Sequence, residues 1–124
     1  MSTNTIQYYM PGNRLARATV YNNSIYLSGI IADADAIDFK SQMESVLKKI
    51  ENTLADLGSN KNKLLQVTIY LPDINQFDYM NVIWDKWITP GYAPARATVE
   101  AKLAHPQYLI EIMATAACWT FLHL

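Results

Sequence analysis

One cysteine, two histidines and four scattered glycines leave this chain of 124 residues short of the groups that most enzyme chemistry is built from. The lone Cys118 cannot close an intrachain disulfide, so nothing points to an oxidising compartment. With His105 and His123 far apart, no metal-ligand cluster forms in the sequence. Single glycines make no phosphate-cradling loop, and there is no nucleophile elbow and no obvious Ser-His-Asp set. No His neighbours Cys118 in sequence, which suits an inert buried thiol better than a nucleophile. Charged residues are only 17% of the chain and the net charge is −1, with no basic patch interleaved with aromatics, so a nucleic-acid partner is not expected. No apolar run approaches the ~20 residues of a membrane span, and the N-terminal stretch lacks a signal peptide's apolar centre; a cytoplasmic protein without a membrane partner is the expectation. Repeats, linkers and low-complexity tracts are absent as well, and the length suits one domain over 1–124. Without covalent, metal or cofactor machinery, any chemistry has to come from positioned charges and water.

What is abundant is apolar surface. Hydrophobic residues make up 51% of the chain, a high share for a small domain with little interior, so part of that surface is expected to face a partner subunit. Asn22-Asn23 between apolar stretches 16–21 and 25–29 reads as a hairpin, because Asn tolerates the positive φ of tight turns. Residues 6–10 suggest an edge strand ahead of it, punctuated by Pro11-Gly12. Phe39, Met43, Val46, Leu47, Ile50, Leu54 and Leu57 recur at steps of three and four and predict a helix that Gly58 ends. Leu65, Val67, Ile69 and Leu71 alternate with polar residues as a strand does. Pro72-Asp73 opens a second helix carrying Phe77, Met80, Trp84 and Trp87, and Thr89-Pro90-Gly91 closes it. Two further strands are expected, one with Val99, Ala101 and Leu103 on one face and one over 108–117. In the last, Ile110, Ile112, Ala114 and Ala116 share a face while Leu109, Glu111, Met113 and Thr115 share the other, and both faces are mostly apolar. Such a strand is covered on both sides. Two helices cover one face of a sheet this size, and another copy of the chain is the simplest cover for the other. The order βββαβαββ makes an α+β sandwich with both helices on one face.

Two charges sit in unlikely places. Arg96 lies at the mouth of a strand with no acidic neighbour in sequence, and Arg is the side chain suited to a bidentate grip on a carboxylate. Glu111 falls mid-strand between apolar neighbours on the face expected to meet another copy; a carboxylate there is either paired or available for proton transfer with water. A structural ion pair between the two across an interface is an equal alternative. Trp84 and Trp87 read as helix-to-sheet packing, His105 as a turn residue before Pro106, and Tyr92 as a loop residue ahead of Arg96. The apolar tail 118–124 is expected to lengthen the last strand or cover a subunit edge.

The segments Tyr26-Leu27-Ser28-Gly29, Gly58-Ser59, Val67-Thr68-Ile69-Tyr70-Leu71, Asn81, Pro94-Ala95-Arg96-Ala97-Thr98-Val99 and Ile110-Glu111-Ile112 resemble, in order and spacing, the RidA/YjgF family of reactive-intermediate deaminases. Trp84-Asp85-Lys86-Trp87 and Gly91-Tyr92-Ala93-Pro94 are most similar to its YoaB-like branch. The resemblance implies a chorismate-mutase-like fold, a homotrimer with clefts between subunits, and hydrolysis of 2-aminoacrylate and related imines or enamines to 2-keto acids and ammonia. It implies that Arg96 holds the substrate carboxylate and Glu111 activates water, with Ser28, Gly29, Asn81 and the Thr98 backbone N–H lining the pocket. No cofactor is implied, since an imine carbon is already electrophilic. The chain departs from the family's main branch at Leu15, which stands where that branch has a Tyr. Arg14 beside it supplies either a second anion contact, favouring a dicarboxylate or larger acid, or ordinary solvated charge, as does Arg17. The small-molecule partner is thus an imine or enamine; the alternative function is a non-catalytic, metabolite-binding regulatory trimer that takes a keto acid or similar anion in the same cleft and alters a partner protein.

Overall fold

Alternating and helical hydrophobic periods become structure nearly element by element in the computed structural model, which describes residues 5–118. The strands are β1 (Gln7–Pro11), β2 (Ala16–Tyr21), β3 (Ser24–Leu27), β4 (Leu64–Leu71), β5 (Ala95–Glu100) and β6 (Glu111–Ala117). The helices are α1 (Phe39–Asp56) and α2 (Phe77–Trp87), with short 3-10 turns at Lys61–Lys63 and Ile74–Gln76. Asn22 takes φ 54° in the turn between β2 and β3, as the hairpin reading requires. Asp38 starts α1 by accepting a hydrogen bond from the Ser41 N–H. Gly58, at φ 74°, ends it, and the Ser59 N–H returns 2.8 Å to the Leu54 carbonyl.

One six-stranded sheet runs in the order β1-β2-β3-β6-β4-β5, antiparallel except for the β4–β5 pair, whose connection passes through α2. Ala18, Ile25, Leu27, Val67, Ile69, Leu71, Ile112, Ala114 and Ala116 form the buried face and share one core with Met43, Val46, Leu47, Ile50 and Leu54 of α1 and Met80 and Trp84 of α2. Removing such side chains from water drives the packing, at roughly 1.5–3 kcal/mol for each large one. The opposite face is bare: Tyr8, Tyr26, Val99 and Met113 on it are 62%, 47%, 43% and 44% exposed. The sequence expectation of one face under helices is met, and the second face of β6 is left uncovered by the other described residues.

Several boundaries differ from the sequence reading. β5 stops at Glu100 rather than at Leu103, because β4 ends at Leu71; the Ala101 N–H takes the Leu71 carbonyl and no ladder partner lies beyond. β6 starts at Glu111 rather than at Tyr108, because the chain just before it is tied to α1: the buried Gln42 amide donates to the Gln107 carbonyl and accepts from the Leu109 N–H, 2.8 Å each. Asp73 caps the 3-10 turn, so α2 itself begins at Phe77. A register shift between Leu64 and Gln66 turns Leu65 outward, 50% exposed, and buries Leu64 in the place expected for it. Leu57 caps α1 rather than continuing it. Trp84 is buried in the core between helix and sheet, and Trp87 packs at the margin of that core, their ring centroids 5.5 Å apart. His105 sits edge-on to Tyr108 in its turn. Burial pushes the Cys118 thiol up from its ordinary range, in keeping with an unreactive cysteine. The tail 118–124 lies, beyond Cys118, outside the described residues.

Candidate functional site

Strand register decides where each singled-out side chain points. In the parallel β4–β5 ladder Arg96 stands beside Val67 and Thr98 beside Ile69. Val67 and Ile69 face the helices, so Arg96 and Thr98 do too. There they meet α2. Phe77, Asn81 and Trp84 follow at steps of four and three and share one helix face. The Arg96 guanidinium carbon lies over the Trp84 ring, 5.2 Å from its centroid, and 5.9 Å from that of Phe77. Both distances fall within cation–π range. Arg96 is half-buried, and among the described residues no hydrogen bond or ion pair ties it to an acceptor. Partial burial draws its basicity down from the usual value, with the charge of Asp85 acting the other way. It remains a cation. The Thr98 hydroxyl oxygen is buried without a hydrogen-bond partner among the described residues, at the wall of a depression of about 470 Å³ lined also by Ile74, Asn75, Phe77 and Asp78.

A second group gathers on the other side of the sheet. Glu111, the first residue of β6, stands beside Tyr70 of β4, one position out of phase with the buried Ile69–Ile112 pair, so its side chain faces away from the helices. The chain continues past β3 with the Ser28 N–H bonded to the Arg17 carbonyl, and a bridge between Ile30 and Ile112 brings Gly29 against Glu111. The fit is tight: a Cβ added to Gly29 would lie 2.1 Å from Glu111 Oε2. Glycine is therefore the residue that lets this carboxylate lie flat on the strand. Glu111 is half-buried, and no hydrogen bond or ion pair to another described residue engages it. Arg14 and Leu15, in the loop between β1 and β2, are exposed.

The expected site residues thus form two sets, Arg96 with Thr98 and Asn81, and Glu111 with Gly29 and Ser28, on opposite faces of one sheet. Among the described residues, no hydrogen bond or ion pair joins Arg14 to either set. Sequence reasoning missed Phe77 and Trp84 as neighbours of Arg96. Their seven-residue spacing announced a common helix face, but which strand crosses that face is fixed by the β4–β5 pairing.

The whole described region, residues 5–118, matches the family model described as endoribonuclease L-PSP. The chain is similar to the RutC family protein YoaB of Escherichia coli, 40% identical over 84% of this chain and 90% of that one. It is similar also to a RutC family protein of Haemophilus influenzae, 37% identical over 92% of this chain and 99% of the other. Among solved structures, a YjgF family protein from Neisseria meningitidis superposes with a TM-score of 0.91 at 36% identity, covering 96% of this chain and 99% of its own. The arrangement shared with these structures is the chorismate-mutase-like α+β fold.

Proposed function

Because this chain belongs to the endoribonuclease L-PSP family, the group whose members carry the RutC and YjgF names, we propose that it is a deaminase that hydrolyses reactive imines and enamines such as 2-aminoacrylate. One observation carries the reading: a guanidinium and a carboxylate, each half-buried and each without an ion-pair partner among the described residues, stand on opposite faces of one sheet. Left unpaired in a chain with a bare apolar sheet face, they complement each other across an interface between copies, which we take to be a homotrimer. In such a cleft Arg96 of one copy holds the substrate carboxylate, with Thr98 and Asn81 beside it, and Glu111 of another faces C2 from the Ser28-Gly29 edge.

The chemistry needs nothing beyond water. An enamine gains a proton at C3 and gives one up at nitrogen to become the 2-imino acid. Glu111 draws a proton from water as its oxygen bonds to C2, and the C=N double bond becomes an N–H amine on a tetrahedral carbon. That proton passes to nitrogen; the new hydroxyl then gives its own proton to Glu111 as the C2=O bond forms and the C–N bond breaks, Glu111 returns that proton to the departing nitrogen, and ammonia and a 2-keto acid leave. Arg96 compensates the substrate's charge and fixes C2 at the water.

Ammonia release from enzymatically generated 2-aminoacrylate tests the proposal. Wild type is expected to accelerate it, Arg96→Ala to abolish the acceleration while the assembly elutes unchanged from a sizing column, and Arg96→Lys to be badly impaired, because the planar fork is lost with the charge kept. Equal rates for wild type and Arg96→Ala would discard the reading. Binding of 2-keto acids with no turnover of any imine would replace it with the regulator.

A further inference from the structure

The anchoring of Arg96 is unusual in kind. An arginine is commonly fixed by a carboxylate, which neutralises it and occupies its N–H groups. Here the contacts come from two aromatic rings on α2, one buried and one at the rim. Trp84 is 6% exposed, 5.5 Å from the Trp87 ring centre and in one core with the buried Met80; Phe77, at the start of α2, is 37% exposed. An aromatic ring attracts a cation through its π cloud, which leaves the in-plane N–H fork of the guanidinium unspent. Asp85 is exposed, and no ion pair joins it to Arg96.

We propose that Phe77 and Trp84 are positioning residues: they seat the Arg96 guanidinium by its face, so that its edge donors stay free and aimed for a substrate carboxylate. The inference rests on the deaminase reading for its ligand and adds to it the source of the arginine's preorganisation. A side chain already held and partly stripped of water gives up less conformational freedom when the carboxylate arrives, and the pair then forms with less water to displace. Neither ring supplies a proton or bonds to C2, so their removal is expected to weaken carboxylate binding and leave the chemical step in place.

Phe77→Leu is the first variant, since a half-exposed rim residue tolerates the change. KM for 2-iminobutanoate generated in situ and Kd for 2-oxobutanoate, followed by calorimetry, are both expected to rise about tenfold with kcat little altered. Phe77→Tyr, which keeps the ring, is expected to return both to wild-type values. Trp84→Phe, with a smaller ring at the same place, is expected to fall between. Unchanged KM and Kd in Phe77→Leu would overturn the proposal, as would a loss that Phe77→Tyr fails to restore. The two levels separate cleanly. Turnover that depends on Arg96 but ignores Phe77 removes only the aromatic seat, whereas a wild type that neither turns over the imine nor binds the keto acid removes the deaminase reading and the seat with it.

Discussion

At the scale of single residues, the telling contact is between a group with no side chain and one with a charge. Gly29 is not in a left-handed conformation, and its backbone would accept another residue. What excludes a side chain is the Glu111 carboxylate, 2.1 Å from where a Cβ would stand. The obstructing atom is the far end of a flexible side chain, so Gly29→Ala is resolved by swinging the carboxylate away, at a stability cost within about 1 kcal/mol. Displacement of that size at a reacting group lowers rate by about 10²-fold. Gly29→Ala should therefore melt near wild type, keep its affinity for keto acids through Arg96, and lose kcat. A wild-type kcat in this variant would mean that the position of Glu111 is irrelevant. The sequence singled out Arg96 and Glu111 because charges were out of keeping with their neighbours. It could not couple Gly29 to Glu111, because that contact depends on the pairing between the chain after β3 and the start of β6.

Elements were legible where hydrophobic period alone defines them and less so where they stop. Val67, Ile69 and Leu71 announce β4, and the stripe from Phe39 to Leu54 announces α1, because burying one face requires those spacings. Ends answer to partners elsewhere in the chain. β5 ends where β4 runs out of carbonyls, and β6 starts late because Gln42 of α1 has claimed the backbone ahead of it. That clamp also carries an expectation. Gln42 is 3% exposed and its amide satisfies one donor and one acceptor of the loop that delivers Glu111 to the sheet. Gln42→Leu keeps the volume and strands both backbone groups, which should cost ~1–3 kcal/mol. Thermal unfolding should fall by several degrees and the Leu109 amide should exchange with solvent faster. Unaltered melting and exchange would show that water replaces the amide freely and that the loop needs no anchor.

For the molecule as a whole, composition spoke before structure did: so much apolar residue in so short a chain cannot all be interior. The described fold locates the surplus on the sheet face bearing Tyr8, Tyr26, Val99 and Met113, the face that also bears Glu111. Neither hydrophobic period nor the single chain says how many copies meet there, because the count depends on the angle at which two such faces close. The division of labour across the sheet nevertheless has a consequence that can be counted. If each cleft takes its arginine from one copy and its glutamate from another, Arg96→Ala chains still supply Glu111, and Glu111→Gln chains still supply Arg96. Each variant alone is inactive. Co-refolded in equal amounts, they assemble at random, and a cleft is complete when its arginine side comes from a Glu111→Gln copy and its glutamate side from an Arg96→Ala copy. Each choice has a chance of one half, so about a quarter of the wild-type specific activity should return. Were both groups drawn from the same chain, every chain in the mixture would carry one lesion in its only site and no activity would return at any mixing ratio. The recovery of ammonia release after co-refolding therefore reads out, without a further structure, whether the two faces of this sheet work in one cleft.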